Sequence, residues 1–537
     1  MRLDAVLWRD LQFGGVACLW AALLALGIDG LRRFRPWRQA SKADLWLLVL
    51  AVLSGLALRL WAIPFPSDIR SAMDQGLFIN GPAHYWSAGY SVFLHAVFAV
   101  FGPSFETAIR ANIVVGSATI AALYFLGVLY LKDPLAALAG AAILATAPIS
   151  ARLSASDSAH VLLTLCLLLS FCFVILWART GEWRWFAQAC GWWILAANVR
   201  CEALVYAAAL ALVAVGAAPR FPSLARGAAP WLVLTAAGMI LLASPVFQAL
   251  AQRSYGAGGE HGSLWRGPWF LSPDSSGWTS ALSVLGAGVL VFGPARRVGG
   301  LALLAAMAVV VFPAATPSNL AHNARYRHFL PVFAMFCLVA GRGLAAFIRG
   351  VETTLRRTWI SRDLAAGVAP AAILLAALSS LPALGFLRKT WTHQLELAFV
   401  YDGLRRIDDG CTIVRRACWL TDSGLELSPG MSLQVGRKHG WVDTGDFLAG
   451  RAGAVGDCAV YYRSATCFAA PKRSPGKTYE GVVEELPECR EMSKRYVLEP
   501  LAEAVLPAKP YVNEQYAAAA IPVGFYRIHP RRGGTLP

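Results

Sequence analysis

Asp68 and Asp74 fall in one polar stretch, Pro64-Phe-Pro-Ser-Asp68-Ile-Arg70-Ser-Ala-Met-Asp74, directly after an apolar run. A carboxylate at a membrane edge can take a proton from an acceptor arriving through water while a lipid-borne partner arrives sideways from the bilayer. A solvated loop carboxylate with no task is the competing reading. Farther along, Arg325, Arg327 and His328 stand where a polar loop meets the next apolar run. Planar guanidinium groups suit a lipid phosphate, although long cationic chains snorkelling to the interface give the same pattern. Arg152 and Asp157 flank another apolar run. They read either as a surface pair worth about 0–1 kcal/mol or as an ionisable cluster facing a cavity. Arg200 and Glu202 are expected to form a structural ion pair at a buried turn.

These residues are carried by elements that the composition makes plain. Of 537 residues, 57% are hydrophobic and 15% charged, with a mean hydropathy of +0.52, whereas a soluble chain carries about a quarter charged residues. The apolar residues gather in runs long enough to cross a hydrocarbon core of about 30 Å, and in lipid such runs must be helical. Twelve spans are expected, near 9–28, 44–63, 107–131, 134–150, 158–177, 185–199, 201–217, 229–250, 279–294, 299–315, 329–347 and 364–386. The runs at 185–199 and 201–217 are short and read as half-buried helices. The first run is read as a retained helix rather than a cleaved signal, because no small-residue cleavage site follows it.

Alternate loops collect the positive charge, from Arg32, Arg33 and Arg35 through Lys132, Arg179, Arg220 and Arg296 to Arg356 and Arg357. Those loops are assigned to the cytoplasm. Both termini and the longer segments 64–106, 251–278, 316–328 and 388–537 are then outside. The aromatic stretch 86–102 is expected to lie along the interface. The net charge of +16 reflects this loop bias and not a basic groove, so nucleic acid is not an expected partner.

From residue 388 the chain becomes polar and alternating, as in Cys458-Ala-Val-Tyr-Tyr-Arg463 and Val523-Gly-Phe-Tyr-Arg-Ile528, which are strand patterns. The fold class expected is an all-α polytopic membrane bundle over 1–387, with first outer loop 64–106, joined to a small C-terminal α/β extracytoplasmic domain over 388–537. That domain holds Cys411, Cys418, Cys458, Cys467 and Cys489. An oxidising compartment permits one or two disulfides with a thiol left over, in a pairing that sequence does not define.

Phosphate-loop, dinucleotide, zincin and paired-cysteine motifs are absent. His84, His261 and His322 are too dispersed for a metal site. Chemistry on the outer side must therefore use a substrate that does not depend on cytosolic nucleotides.

Several stretches in fixed order carry a family resemblance. They are Leu58-Arg59-Leu-Trp61 leading into Asp68; Gly89-Tyr90-Ser-Val-Phe-Leu with Val100-Phe-Gly102 and Ile109-Arg110; and Pro148-Ile-Ser-Ala-Arg152-Leu-Ser-Ala-Ser-Asp157. Leu195-Ala-Ala-Asn-Val-Arg200-Cys-Glu202 and Arg327-His328-Phe-Leu-Pro331 with Ala340-Gly341 complete the set. Over about 44–347 the chain resembles the GT-C glycosyltransferases that use polyprenyl-phosphate sugars, the branch with lipid A aminoarabinose transferase and protein O-mannosyltransferases. It departs from them in three ways. Ile69 follows Asp68 where an acidic pair is usual, His328 replaces a tyrosine although Arg325-Tyr326 lies just upstream, and an additional span precedes the usual first helix.

The resemblance implies transfer of a sugar from a polyprenyl-phosphate donor to an extracytoplasmic lipid, glycan or protein, with inversion. Asp68, or Asp74, is implied as general base, and Arg327, with Arg152, as the stabiliser of the departing phosphate. Arg59, His84, Tyr90, Arg152, Asp157, Arg325, Arg327 and His328 are the implied substrate-binding set. No cofactor is required, although some relatives use a metal. The location implied is the inner (plasma) membrane. The alternative is a transporter of lipid-linked or small polar cargo, against which stands the absence of repeated halves.

Overall fold

The structure is a computed structural model. It describes residues 14–23, 25, 41–63, 88–102, 105–156, 158–200, 203–204, 206–217, 278–292, 297–314, 330–357, parts of 370–378, 392–416, 432, 437–452, 455, 458–464, 467–469, 484–507 and 520–531. The chain forms two compact units, the second built mainly from Thr390–Pro537.

The first unit is helical. In chain order its helices are α1 Gly14–Leu23, α2 Lys42–Trp61, α3 Ala88–Phe101, α4 Phe105–Leu131, α5 Pro134–Thr146, α6 Pro148–Ser154, α7 Ala159–Thr180 and α8 Trp183–Val199. Then come α9 Tyr206–Ala217, α10 Thr279–Phe292, α11 Arg297–Ala314 and α12 Leu330–Arg357. Helices α2, α7 and most of α4 and α12 are long and apolar enough to cross a membrane, and the bent pair α5–α6 counts as a fifth span. The expected spans at 44–63, 107–131, 158–177 and 329–347 therefore have helices of spanning length, while the count of twelve is not reached among the described residues. The span at 229–250 lies outside them, as does most of 364–386.

Local signals set the helix ends. Ser41 and Asp44 form a reciprocal capping box at the start of α2. Asp133 caps α5 with Pro134 at its first position, and Gly181 ends α7 in the left-handed conformation, φ 73°. The expected single span 134–150 is instead broken at Ala147, with a bend of 59°. The cause is Pro148, which has no N–H to continue the ladder and whose ring opposes the carbonyl four residues back.

Close helix approach needs small residues. A Cβ on Gly341 of α12 would stand 2.3 Å from the Ala136 carbonyl oxygen and 2.4 Å from the Gly140 nitrogen of α5. Only glycine fits there, as expected where packing rather than the hydrophobic effect holds helices together in lipid. One ion triad accompanies this seam: Asp133 receives Arg342, and also Arg349 at 2.8 Å.

The second unit contains helix α13 (Thr392–Arg406), strands β1 (Thr412–Arg415) and β2 (Gly440–Asp443), helix α14 (Thr444–Leu448) and strands β3 (Ala459–Arg463), β4 (Phe468–Ala469) and β5 (Glu484–Glu485). Helix α15 (Pro487–Arg495) and strands β6 (Tyr496–Pro507) and β7 (Ala520–Pro530) follow. Five strands form one sheet in the order β2-β1-β3-β7-β6. β1 is parallel to both neighbours, and β7 is antiparallel to β3 and β6. Alternation along the strands buries Ile413, Val460, Tyr462 and Phe525 with Val400 and Leu404 of α13. Val414, Tyr461 and Tyr526 belong to a second core with Phe447 and Met492. Two disulfides, Cys411–Cys458 and Cys467–Cys489, tie the starts of β1 and β3 together and join the segment after β3 to α15. Cys418 lies outside the described residues.

Candidate functional site

Arg59, near the Trp61 end of α2, has no exposed surface. Its Nη1 donates to the carbonyls of Gly55 at 2.9 Å and Ala145 at 3.1 Å. Nη2 donates to Ser150 Oγ at 2.8 Å, and Nε to Ser154 Oγ at 3.2 Å. The Ala145 carbonyl lies in the last turn before the Pro148 break, where helix acceptors lose their own partners. Ser150 and Ser154, four residues apart on α6, share a face and both turn it to the guanidinium. Gly116 of α4 completes the enclosure: a Cβ there would lie 2.1 Å from Ser154 Oγ and 3.1 Å from Arg59 Nε.

Arg152 lies in the last turn of α6 and is also fully buried. The chain then turns through Ser156 and Ser158, both buried, into α7. Asn112 of α4, fully buried, reaches this turn. Its Nδ2 donates to the Ser156 carbonyl at 2.7 Å and the Ser158 carbonyl at 3.4 Å. The same amide donates to the Tyr90 hydroxyl at 2.9 Å. Tyr90 is in the first turn of α3, beside Gly89. A Cβ on Gly89 would meet the Asn198 backbone of α8 at 2.7 Å, so α3 enters against that helix end with no room for a side chain. His160 is buried in the first turn of α7, Nδ1 3.4 Å from Ser158 Oγ.

One buried polar layer thus runs from Arg59 through Ser150 and Ser154 to the Ser156–Ser158 turn, Asn112 and Tyr90. Hydroxyls, amides and guanidinium groups enclosed in an apolar bundle strengthen one another electrostatically and hold fixed positions. Chemically the layer offers cationic and hydrogen-bonding groups at the rim of one bent span.

Of the residues expected from sequence, Arg59 and Tyr90 are brought into this layer, and Arg152 is buried on the same short helix as Ser150 and Ser154. Asp157 lies outside the described residues, although both flanking carbonyls are held by Asn112. Asp68, Asp74, His84, Arg325, Arg327 and His328 also lie outside the described residues. The expected pair Arg200–Glu202 is in the same position, since Glu202 is not described. Sequence reading missed Asn112, Ser150, Ser154 and His160. The i, i+4 spacing of the two serines and an asparagine inside an apolar run were the available signals. Among the described residues no three His, Cys, Asp or Glu side chains converge as a metal set would require.

Residues 88–248 match a family model described as dolichyl-phosphate-mannose-protein mannosyltransferase. No curated protein sequence matches the chain. Among solved structures, ArnT from Cupriavidus metallidurans in the apo state aligns with 91% of this chain and 98% of its own, at a TM-score of 0.50 and 13% identity. The same protein bound to undecaprenyl phosphate aligns over the same shares, at a TM-score of 0.52 and 12% identity. At these identities the likeness is one of fold.

Proposed function

We propose that the chain is a membrane glycosyltransferase of the GT-C superfamily that transfers a sugar from a polyprenyl-phosphate donor to an acceptor outside the cytoplasm, a reading supported by the family model over residues 88–248 and by the fold likeness to ArnT. The observation that carries the proposal is the buried layer joining Tyr90, Asn112, Arg59 and the turn after Arg152. It falls largely within the segment that matches the mannosyltransferase family.

In the reaction proposed, Asp68 or Asp74 takes the proton from the acceptor as general base. The acceptor's freed electron pair forms a bond to the anomeric carbon as the anomeric carbon–oxygen bond to phosphate breaks. The phosphate leaves with that bond's electrons, and the configuration inverts. Arg327 with Arg152 stabilises the charge that grows on the leaving phosphate. Arg325, His328, His84 and Asp157 bind the substrates around this centre. No cofactor enters the steps, because the sugar arrives already activated.

The location proposed is the inner (plasma) membrane, with the C-terminal unit outside. The two disulfides support that side, since such bridges persist in oxidising compartments.

The test is sugar release by the purified protein from a radiolabelled panel of polyprenyl-phosphate sugars, run beside Asp68→Asn and Asp74→Asn. Release that disappears in one variant identifies the base. Donor binding without release by folded wild-type protein would instead favour the transporter.

A further inference from the structure

Helix α1 carries its buried residues on one stripe. Val16 and Leu23 are almost fully enclosed, and Trp20 stands between them at the four- and three-residue spacing of a single helix face. That face lies against α8. A Cβ on Gly191 would stand 2.5 Å from Leu23 Cδ2, so the glycine is what lets α1 seat closely there. In the same seam Trp20 meets Trp192 edge-to-face, with ring centroids 5.8 Å apart. Trp192 is itself held, its Nε1 donating to Gln188 Oε1 at 3.1 Å.

The other neighbour of Trp20 is α3. Its ring stacks on Phe93 at a centroid distance of 6.2 Å, with 29° between the planes. Phe93 in turn stacks on Tyr90 at 6.2 Å and 25°, the two being three residues apart on one face of α3. Such pairs at these separations are favourable beyond the area they bury. The row ends at the Tyr90 hydroxyl, which accepts from Asn112 Nδ2, the amide that also holds the Ser156 carbonyl. A tyrosine is a rigid arm with two side-chain torsions, so whatever holds its ring also decides where its oxygen stands.

We infer that Trp20 is a positioning residue for the proposed transfer: through Phe93 it fixes the ring of Tyr90, and so sets the Tyr90 hydroxyl within the polar layer that receives the lipid-linked sugar. This inference rests on the proposed donor chemistry. It gives α1, which precedes the segment matched by the family model, a task in that reaction. A helix that only packed would act through all of its contacts alike. Here the effect follows one row of rings, and a phenylalanine at position 20 is enough to carry it.

The experiment uses the full-length protein in nanodiscs and has two readouts. The first is steady-state sugar release from a radiolabelled polyprenyl-phosphate sugar by wild type, Trp20→Leu, Phe93→Leu, Trp20→Phe and Leu23→Ala. Trp20→Leu and Phe93→Leu are expected to raise KM for the donor about twofold to tenfold, the range of one aromatic pair, with a smaller change in kcat. Trp20→Phe should retain the wild-type KM. So should Leu23→Ala, which loosens the seat of α1 on Gly191 and spares the rings. In a Tyr90→Leu background, Trp20→Leu should add nothing. The second readout needs no turnover: a ring-fluorinated tyrosine at position 90 is followed by fluorine NMR. Its resonance should move in Trp20→Leu and Phe93→Leu and stay in place in Leu23→Ala. Should Trp20→Leu fail to fold, Phe93→Leu, which leaves α1 untouched, decides alone. An unmoved resonance, an unchanged KM, or an equal rise of KM in Leu23→Ala overturns the inference and leaves the donor reading intact. Wild-type protein that neither binds nor releases a donor overturns the donor reading, and with it the task assigned to Trp20, whatever the resonance shows.

Discussion

The Asn112 amide and the Tyr90 hydroxyl meet at 2.9 Å, and the same nitrogen reaches the Ser156 carbonyl at 2.7 Å. One side chain thereby joins α3, α4 and the turn between α6 and α7. Replacing it with leucine keeps the volume roughly and leaves buried acceptors unsatisfied, at about 1–3 kcal/mol. Asn112→Leu is expected to lower the unfolding temperature and suppress sugar release. Tyr90→Phe, which removes only one acceptor of the shared amide, should have the smaller effect on both. Thermal unfolding in detergent checks the order, and a larger loss in Tyr90→Phe would contradict it.

Gly116 and Ser154 are predicted to be coupled. Alanine at 116 would drive its methyl to 2.1 Å from Ser154 Oγ, an overpacking that costs about 1–3 kcal/mol. In the double variant Gly116→Ala/Ser154→Gly the clash is gone, so the combined loss should be less than the sum of the single losses. A double-mutant cycle of unfolding free energies measures this. Strict additivity would show that the two residues do not press on one another.

Particular residues explain what the sequence made legible. Long apolar runs located α2, α4, α7 and α12, since nothing but a helix satisfies the backbone in lipid. The alternation in 458–463 and 523–528 likewise located β3 and β7. The break at Pro148 was concealed because apolar residues continue on both sides of it, and proline is tolerated where neighbours satisfy the freed carbonyls. Here Arg59 does so for Ala145, a contact between residues far apart in sequence. Asn112, Ser150 and Ser154 passed as filler in apolar helices for the same reason. Strand β6 contains Pro500, which argues against a strand, yet it is accommodated at a register shift between Pro500 and Ala502.

Asp133 predicts a pH effect with a definite sign. Burial pushes its carboxyl pKa up, but the hydrogen bond and charge of Arg349, the Ala136 amide and the charge of Arg342 together hold it below the usual range. A depressed carboxyl contributes stability that is present above its unfolded value of about 3.9 and is lost as pH falls through the folded value. The stability gap between wild type and Asp133→Asn should therefore be wide at pH 7 and narrow as the medium is taken below about pH 4. Unfolding temperatures of the two proteins across that range test it, and a gap that widens in acid would refute the assignment.

The disulfides predict a chemical count and a stability loss. Alkylation of the unfolded, unreduced protein should miss Cys411, Cys458, Cys467 and Cys489, and prior reduction should expose all four. Cys411→Ser/Cys458→Ser opens the longer loop, with a sequence separation of 47. It is expected to cost the C-terminal unit about 2–4 kcal/mol, and Cys467→Ser/Cys489→Ser somewhat less. Mass spectrometry gives the count and chemical denaturation gives the loss. Four thiols that react before reduction would exclude both bridges.

The seam between α5 and α12 bears on how the chain is made. Asp133 finds its arginines 209 and 216 residues later in the chain, and the notch at Gly140 is faced by the Cys337–Leu338 backbone and Gly341 of α12. During synthesis α5 therefore waits, with an unmatched acid at its entrance and a small-residue face turned to lipid, until most of the helical unit has left the ribosome. The bundle closes late, and a chain truncated before Leu330 lacks the segment that closes it. Nascent chains of graded length, probed for protease resistance in membranes, should acquire protection in one step once α12 has emerged.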